Sequence, residues 1–70
     1  MKKKDFPHYT ADQMDYLIDQ HIHKIRYRAV LKLKLLDELT FEEVAEQTGY
    51  STQHVKTIVY KGMQELIKHL

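Results

Sequence analysis

The sequence contains no cysteine and no tryptophan, and it has one proline and two glycines among 70 residues. Without cysteine the chain has neither disulfides nor a cysteine-based zinc site, which is typical of a reducing compartment, so we predict a cytoplasmic protein. No apolar run approaches the roughly 20 residues of a membrane span, so we expect no membrane partner. A chain this short forms one small core, which disfavours deep catalytic clefts and cavities for large cofactors.

The net charge of +1 conceals a segmented charge distribution. Residues 1–36 carry eight positive and four negative side chains, residues 37–48 carry five negative and none positive, and residues 49–70 carry three positive and one negative. Cations that neutralise phosphates supply most non-specific affinity for DNA. Because a segmented field can present a basic face beside an acidic one, near neutrality does not exclude a nucleic-acid partner.

The chain divides into a short tail and one helical domain. Residues 1–9, with Pro7, predict a flexible basic tail, and residues 10–70 predict an all-α domain. A change of apolar phase near residues 21–24 indicates a bend between the first two helices. We predict four helices and no strand, with the helices at about residues 11–22, 24–36, 41–48 and 52–69.

Three polar residues mark helix starts. Thr10 and Thr40 are each followed three residues later by a side chain that can complete a capping box, Gln13 and Glu43. Ser51 can cap the fourth helix.

Apolar periodicity predicts the buried faces. For the second helix we predict one face of Ile25, Ala29, Leu33 and Leu36, and another of Leu31 and Leu35. For the fourth we predict a stripe of Val55, Ile58, Val59, Gly62, Met63, Leu66 and Leu70.

A short helix, a turn at Gly49 and a longer helix form the pattern of a helix-turn-helix. Ala45 is small enough to let the two helices approach, and Tyr50, Val55 and Ile58 can fill the wedge between them. The side of the last helix away from this stripe carries glutamine, threonine and lysine, which can contact bases or phosphates. The alternative is an ordinary solvated helix face. This outward side comprises Gln53, Thr57, Tyr60, Lys61 and Gln64, flanked by His54 and Lys56.

The segment VLKLKLLDELTFEEVAE from Val30 to Glu46, followed by TGYS at 48–51 and VKTI at 55–58, resembles region 4 of sigma-70-type factors. The whole chain also resembles short sigma-region-4-like proteins of phages and prophages of low-GC Gram-positive bacteria. The resemblance implies that the helix after Gly49 reads promoter DNA near the −35 element and that the domain docks on the flap of bacterial RNA polymerase. Seventy residues leave no space for the region 2 module, so we expect less than a complete initiation factor.

Carried over by position, the resemblance implies roles for individual side chains. The candidates for reading bases are Thr52, Gln53, His54, Lys56 and Thr57. The candidates for contacting phosphates are Lys32, Lys34, Ser51, Tyr60 and Lys61.

The sequence departs from the family pattern at two places. Arginines are common near Thr52 and His54, so this helix carries less charge and we expect modest, salt-sensitive affinity. Glycine is common where Glu38 stands, so the turn before the third helix either avoids a left-handed residue or is mildly strained.

These observations predict a sequence-specific, double-stranded DNA-binding regulator of transcription. The alternative is a module that binds RNA polymerase or a sigma factor without strong DNA binding of its own. The apolar pair Leu31 and Leu35 also leaves homodimerisation open. The acidic segment 37–46 either complements a helix N-terminus or repels DNA and docks a basic partner, and the basic side chains of the second helix are either solvated or phosphate-contacting.

Catalysis and metal binding find little support. Asp12, Asp15 and Asp19 recur at helical spacing, which is common on a solvated face, and no nucleophile has a base and an orienting group at a recognisable spacing. His21 and His23 do not share a helical face. We therefore predict neither an enzyme nor a metal or cofactor site.

Overall fold

The computed structural model describes residues 9–69, which form four helices: α1 (Ala11–His21), α2 (Ile25–Leu35), α3 (Phe41–Thr48) and α4 (Thr52–Ile67). No strand occurs in this part of the chain, and the predicted all-α, four-helix fold is confirmed. Helix α3 has its predicted bounds, whereas α1, α2 and α4 are one or two residues shorter than predicted at one or both ends. Within residues 9–69, no helix is both long and apolar enough to cross a bilayer.

Both predicted capping boxes are confirmed. The Thr10 hydroxyl accepts from the Gln13 amide at 3.1 Å, and the Gln13 side chain accepts from the Thr10 amide at 2.9 Å. The corresponding distances for Thr40 and Glu43 are 3.1 and 2.8 Å. Each box satisfies backbone donors that a helix start leaves without an intrahelical partner.

The predicted bend between α1 and α2 is present at residues 22–24. Ile22 is extended (φ −107°, ψ 112°), and its amide donates to the Ile18 carbonyl at 2.9 Å. The Nε of Arg28 donates to the Ile22 carbonyl, which places a cation at the C-terminus of α1, where the helix dipole favours positive charge. Hydrogen bonds to α1 and to α2 therefore both fix the position of the connection.

Most of the predicted tail lies outside the described residues. Tyr9, the described residue of that segment, is partly buried and packs against the hydrophobic core. The packed part of the chain thus extends to Tyr9, one residue before the predicted domain start.

All four helices contribute to the core. Helix α4 buries the predicted stripe except that Met63 is half-buried, and Leu70 lies outside the described residues. The buried apolar residues are Met14, Leu17, Ile18, Ile22, Val30, Leu31, Val44, Val55, Ile58, Val59 and Leu66.

The faces predicted for α2 are partly wrong, because Ile25 is 77% exposed, Ala29 is exposed, and Val30, which was not predicted, is fully buried. Leu31 is fully buried, and Leu33, Leu35 and Leu36 pack partly buried against the core, as predicted. Apolar side chains occur around the whole circumference of α2, so periodicity did not distinguish the face that packs against α1 and α4. Because Leu31 is buried within the domain, it is not available for the homodimer contact considered from the sequence.

Helices α2 and α4 approach closely where Leu31 meets Gly62. A Cβ atom placed on Gly62 would lie 2.6 Å from Leu31 Cδ1 and 2.8 Å from Cδ2. Leu31 is fully buried, so an added β-carbon would force its δ-methyl groups or the two helices to shift. Glycine is therefore the residue that fits this helix crossing without rearrangement.

We predict that Gly62→Ala destabilises the domain although alanine favours a helix by about 1 kcal/mol. Overpacking at a buried contact costs about 1–3 kcal/mol, so the melting temperature should fall. In a Leu31→Val background, which lacks the δ-carbons that clash, the same substitution should cost less or stabilise. An equal cost in the two backgrounds, measured by thermal unfolding, would contradict the close-packing explanation.

The turn between α2 and α3 contains a left-handed residue, Glu38, with φ 59°. The Asp37 amide donates to the Lys32 carbonyl at 3.1 Å, and the Leu39 amide donates to the Leu33 carbonyl at 3.2 Å. Of the two forms expected for this turn, it therefore takes the left-handed one, in which a β-carbon is strained.

We predict that Glu38→Gly is more stable than Glu38→Ala by about 1 kcal/mol, because both remove the carboxylate and only glycine relieves the positive φ. In a domain of this size the difference corresponds to about 4–8 °C in melting temperature. Calorimetry of the two variants side by side measures it, and equal melting temperatures would refute backbone strain at this turn.

Candidate nucleic-acid interface

The turn between α3 and α4 has helix-turn-helix geometry. Gly49 is left-handed (φ 84°), and its amide donates to the Ala45 carbonyl at 2.9 Å. Nothing lies within 4 Å of a Cβ placed on Gly49, so backbone conformation rather than space requires glycine here. Thr48 adds a bond from its hydroxyl to the Val44 carbonyl at 2.8 Å.

The start of α4 is fixed by its cap and by buried side chains. The Ser51 hydroxyl accepts from the His54 amide at 3.1 Å, which leaves the hydroxyl proton available to donate to a phosphate. Val55 and Ile58 lie in the core, as the wedge between α3 and α4 requires. The centres of the Tyr50 and His54 rings lie 4.6 Å apart in an edge-on contact. The cap, the buried side chains and this ring contact together fix the first two turns of α4.

The outward face of α4 is polar and lacks carboxylates from Ser51 to Gln64. Gln53, Thr57 and Lys61 are exposed, and Tyr60 is 55% exposed. The Thr57 hydroxyl donates to the Gln53 carbonyl at 3.2 Å, so its oxygen can still accept a bond. Of the other residues predicted to read bases, His54 is exposed and Thr52 and Lys56 are half-buried.

Phe41 lies beside two lysine ammonium groups, one from α2 and one from α4, next to the outward face of α4. The sequence analysis did not predict this cluster. The Lys34 ammonium lies 4.7 Å from the centre of the Phe41 ring, and the Lys56 ammonium lies 5.7 Å from it. The Tyr60 ring meets Phe41 edge-on at 6.0 Å. Cation–π attraction orients both ammonium groups beside α4. An aromatic residue at the first position of α3 is the signal that could have indicated this cluster.

Lys32, predicted to contact phosphate, lies elsewhere and is already paired. Its ammonium is 2.8 Å from Asp19 and 2.9 Å from Asp15, both on α1. Hydrogen bonds to Asp19 and then to Asp15 raise the pKa of Lys32 above its usual value. Two carboxylates beside one ammonium leave no net positive charge at this site, which disfavours the phosphate contact predicted for Lys32. The two aspartates tie α1 to α2.

One acidic residue of α3, Glu43, stabilises the start of the helix. Glu43 closes the capping box at Thr40, and Glu42 is exposed in the first turn, where the helix dipole favours anions.

The histidines form a ring pair but no metal cluster. The His21 and His69 rings stack at 3.6 Å with 6° between their planes. Within residues 9–69, no group of three or more histidine, aspartate and glutamate side chains is arranged to hold a metal ion.

Most of the chain is similar in sequence to known proteins. Residues 24–66 match the family model of sigma-70, region 4. The chain is 32% identical over 57 residues to RNA polymerase sigma factor SigV of Bacillus subtilis (strain 168). That alignment covers 81% of this chain and 33% of the relative, so the chain spans about a third of the relative's length. No solved structure gives a significant match.

Proposed function

The chain belongs to the sigma-70 region 4 family, whose domain is a non-catalytic DNA-binding module, and from this we propose that it binds promoter-type double-stranded DNA and regulates transcription in the bacterial cytoplasm. The matched relative is by name an RNA polymerase sigma factor, which favours a role in transcription initiation. The phage or prophage setting rests on sequence resemblance alone and is part of the same proposal.

The observation that carries the proposal is the exposed, carboxylate-free face of α4 beside a helix-turn-helix turn. In helix-turn-helix proteins the N-terminal residues of the second helix meet base edges in the major groove. Gln53 is exposed in the first turn of α4, and a glutamine can bond an adenine edge through two hydrogen bonds. Thr57 lies one turn further along the same face.

Phosphate contacts are assigned to cations that border this face. Lys34, oriented by Phe41, and Lys61 would flank the bases, and the Ser51 and Tyr60 hydroxyls would add neutral contacts. Lys56, beside the same phenylalanine, has a stem long enough to reach either a base or a phosphate.

We predict that Gln53→Ala weakens binding to the preferred duplex by about 1–3 kcal/mol and reduces discrimination at the contacted base pair. Selection from a random duplex library identifies that preferred site, and fluorescence anisotropy then measures the affinities. Gln20→Ala, at an exposed position of α1, is the matched control and should leave both quantities unchanged.

Two results would contradict the assignment. Equal effects of Gln53→Ala and Gln20→Ala would remove α4 as the reading helix. Failure of the unaltered protein to retain any duplex at about 50 mM salt would refute DNA binding altogether.

A second candidate function is docking on RNA polymerase. It is favoured by an apolar groove on the flank of α4 that faces Leu35 and Phe41. The groove has a volume of about 580 Å³, and Tyr60 and Ile67 line it with 55% and 50% of their surface exposed. Exposed apolar surface of this kind marks protein interaction sites. Its remaining apolar lining consists of Leu35, Phe41, Val59 and Met63.

We predict that purified bacterial RNA polymerase binds the domain in the absence of DNA. Ile67→Ser should remove most of this binding, because it places a polar side chain in the groove. Ile25→Ser is the control, because Ile25 is an exposed isoleucine that does not line the groove. Capture that requires a promoter duplex, or that Ile25→Ser reduces equally, would speak against the groove as a polymerase site.

A further inference from the structure

A second cleft lies between the α1–α2 connection and α4, on the flank of α4 opposite the apolar groove. Its volume is about 540 Å³. The floor is apolar, formed by side chains that include Ile22, Leu31 and Ile58, with Gly62 where α2 and α4 meet. Its rim carries His21, His23, Lys24, Tyr27, His54, Thr57, Lys61 and Glu65.

One wall of the cleft belongs to the proposed reading helix. His54, Thr57 and Lys61 all line it, and all three are exposed. A duplex whose major groove receives the N-terminal half of α4 has a sugar-phosphate backbone on each side of that helix. Under the proposed DNA binding, one of those backbones would run along the side of α4 on which this cleft lies.

The opposite wall is the α1–α2 connection, and it is held in place. Arg28 bonds the Ile22 carbonyl, and the Lys24 ammonium lies 5.2 Å from the centre of the Tyr27 ring. This cation–π contact keeps the Lys24 charge at the rim of the cleft. His23 is exposed beside it.

The charges around the cleft favour an anion. Lys24 and Lys61 contribute cations from two separate elements. Among the described lining residues Glu65 is the carboxylate, and its oxygens lie 3.4 Å from both His69 and Lys68. Hydrogen bonding to His69, and the charge of Lys68, lower the pKa of Glu65 below its usual value, and both of these partners lie outside the cleft.

We propose that this cleft seats one sugar-phosphate unit of the DNA strand beside α4, with the phosphate between His23 and Lys24 on one wall and His54 and Lys61 on the other. The apolar floor suits the carbon-rich face of a deoxyribose, which a bare anion would not use. The proposal rests on the proposed DNA binding and makes His54 a phosphate contact rather than a base reader.

The histidines make this contact dependent on pH. Histidine is the side chain that gains positive charge between about pH 8 and pH 6. The titratable and charged groups around His23 and His54 are His21 from α1, which stacks on His69, Lys24 from the α1–α2 connection, Tyr27 from α2, Tyr50 from the turn before α4, and Lys61 and Glu65 from α4. Affinity for DNA should therefore rise as the pH falls, and its dependence on salt should steepen, because each additional phosphate neutralised adds about 0.9 to the slope.

The test is fluorescence anisotropy with a labelled duplex from about 50 to 200 mM KCl, at about pH 6 and pH 8. Lys24→Gln should reduce the salt slope by about one unit. Arg26→Gln, which removes one positive charge from an exposed α2 position that does not line the cleft, should reduce it much less. Equal slopes for the two variants would mean a general charge effect and would overturn the cleft assignment.

The pH dependence has its own test. The variant carrying both His23→Gln and His54→Gln should lose most of the increase in affinity between pH 8 and pH 6 that the unaltered protein shows. Retention of the full increase by the double variant would overturn the proposal. Failure of the unaltered protein to bind any duplex would instead refute the proposed function itself.

Nuclear magnetic resonance separates a bound strand from a free anion. The ring signals of His23 and His54 should shift when substoichiometric duplex is added and remain in place with inorganic phosphate alone. Shifts with inorganic phosphate but not with duplex would assign the cleft to a free anion and overturn the proposal.

Discussion

The close contact between Leu31 on α2 and Gly62 on α4 sets how closely α4 packs on α2. A β-carbon at residue 62 would lie 2.6 Å from Leu31 Cδ1, so any other side chain there would force the leucine or the helices to shift. The same contact forms the floor of the cleft beside the α1–α2 connection. The separation of the two cleft walls therefore depends on the same packing that holds the core together, and a change in the core would be transmitted to both faces of α4.

The basic residues of α2 differ in function although they look alike in the sequence. Lys32 is held by Asp15 and Asp19, and Arg28 is held by the Ile22 carbonyl, so both stabilise the arrangement of α1 and α2. Lys24 and Lys34 are instead held over aromatic rings, which orient a cation without cancelling its charge. The partner of each cation, and not its place in a basic helix, decides whether its charge remains available to a phosphate.

Local signals in the sequence were sufficient for most of the fold. Capping boxes mark the starts of α1 and α3, and the Ser51 cap and a single apolar stripe specify α4, because these are short-range patterns with a direct physical basis. Helix α2 was different, since its apolar residues surround it and the buried face is selected by the neighbouring helices. The pairing of Lys32 with Asp19, the Phe41 cluster and the cleft wall at His23 all join residues distant in sequence. Such contacts depend on the packed arrangement and could not be read from spacing along the chain.

A net charge of +1 is therefore a poor guide to the field that DNA would experience. At physiological salt, charges act over about 8 Å, so phosphates respond to the side chains beside them rather than to the whole domain. The carboxylates of residues 37–46 lie in α3 and the turn before it, and those of Asp15 and Asp19 are occupied by Lys32. Around α4 the balance is positive, with Lys34 and Lys56 on one flank and Lys24 and Lys61 on the other. Because α4 itself is sparsely charged, its glutamine and threonine side chains would carry the sequence preference, and the flanking cations would supply an affinity that salt reduces steeply.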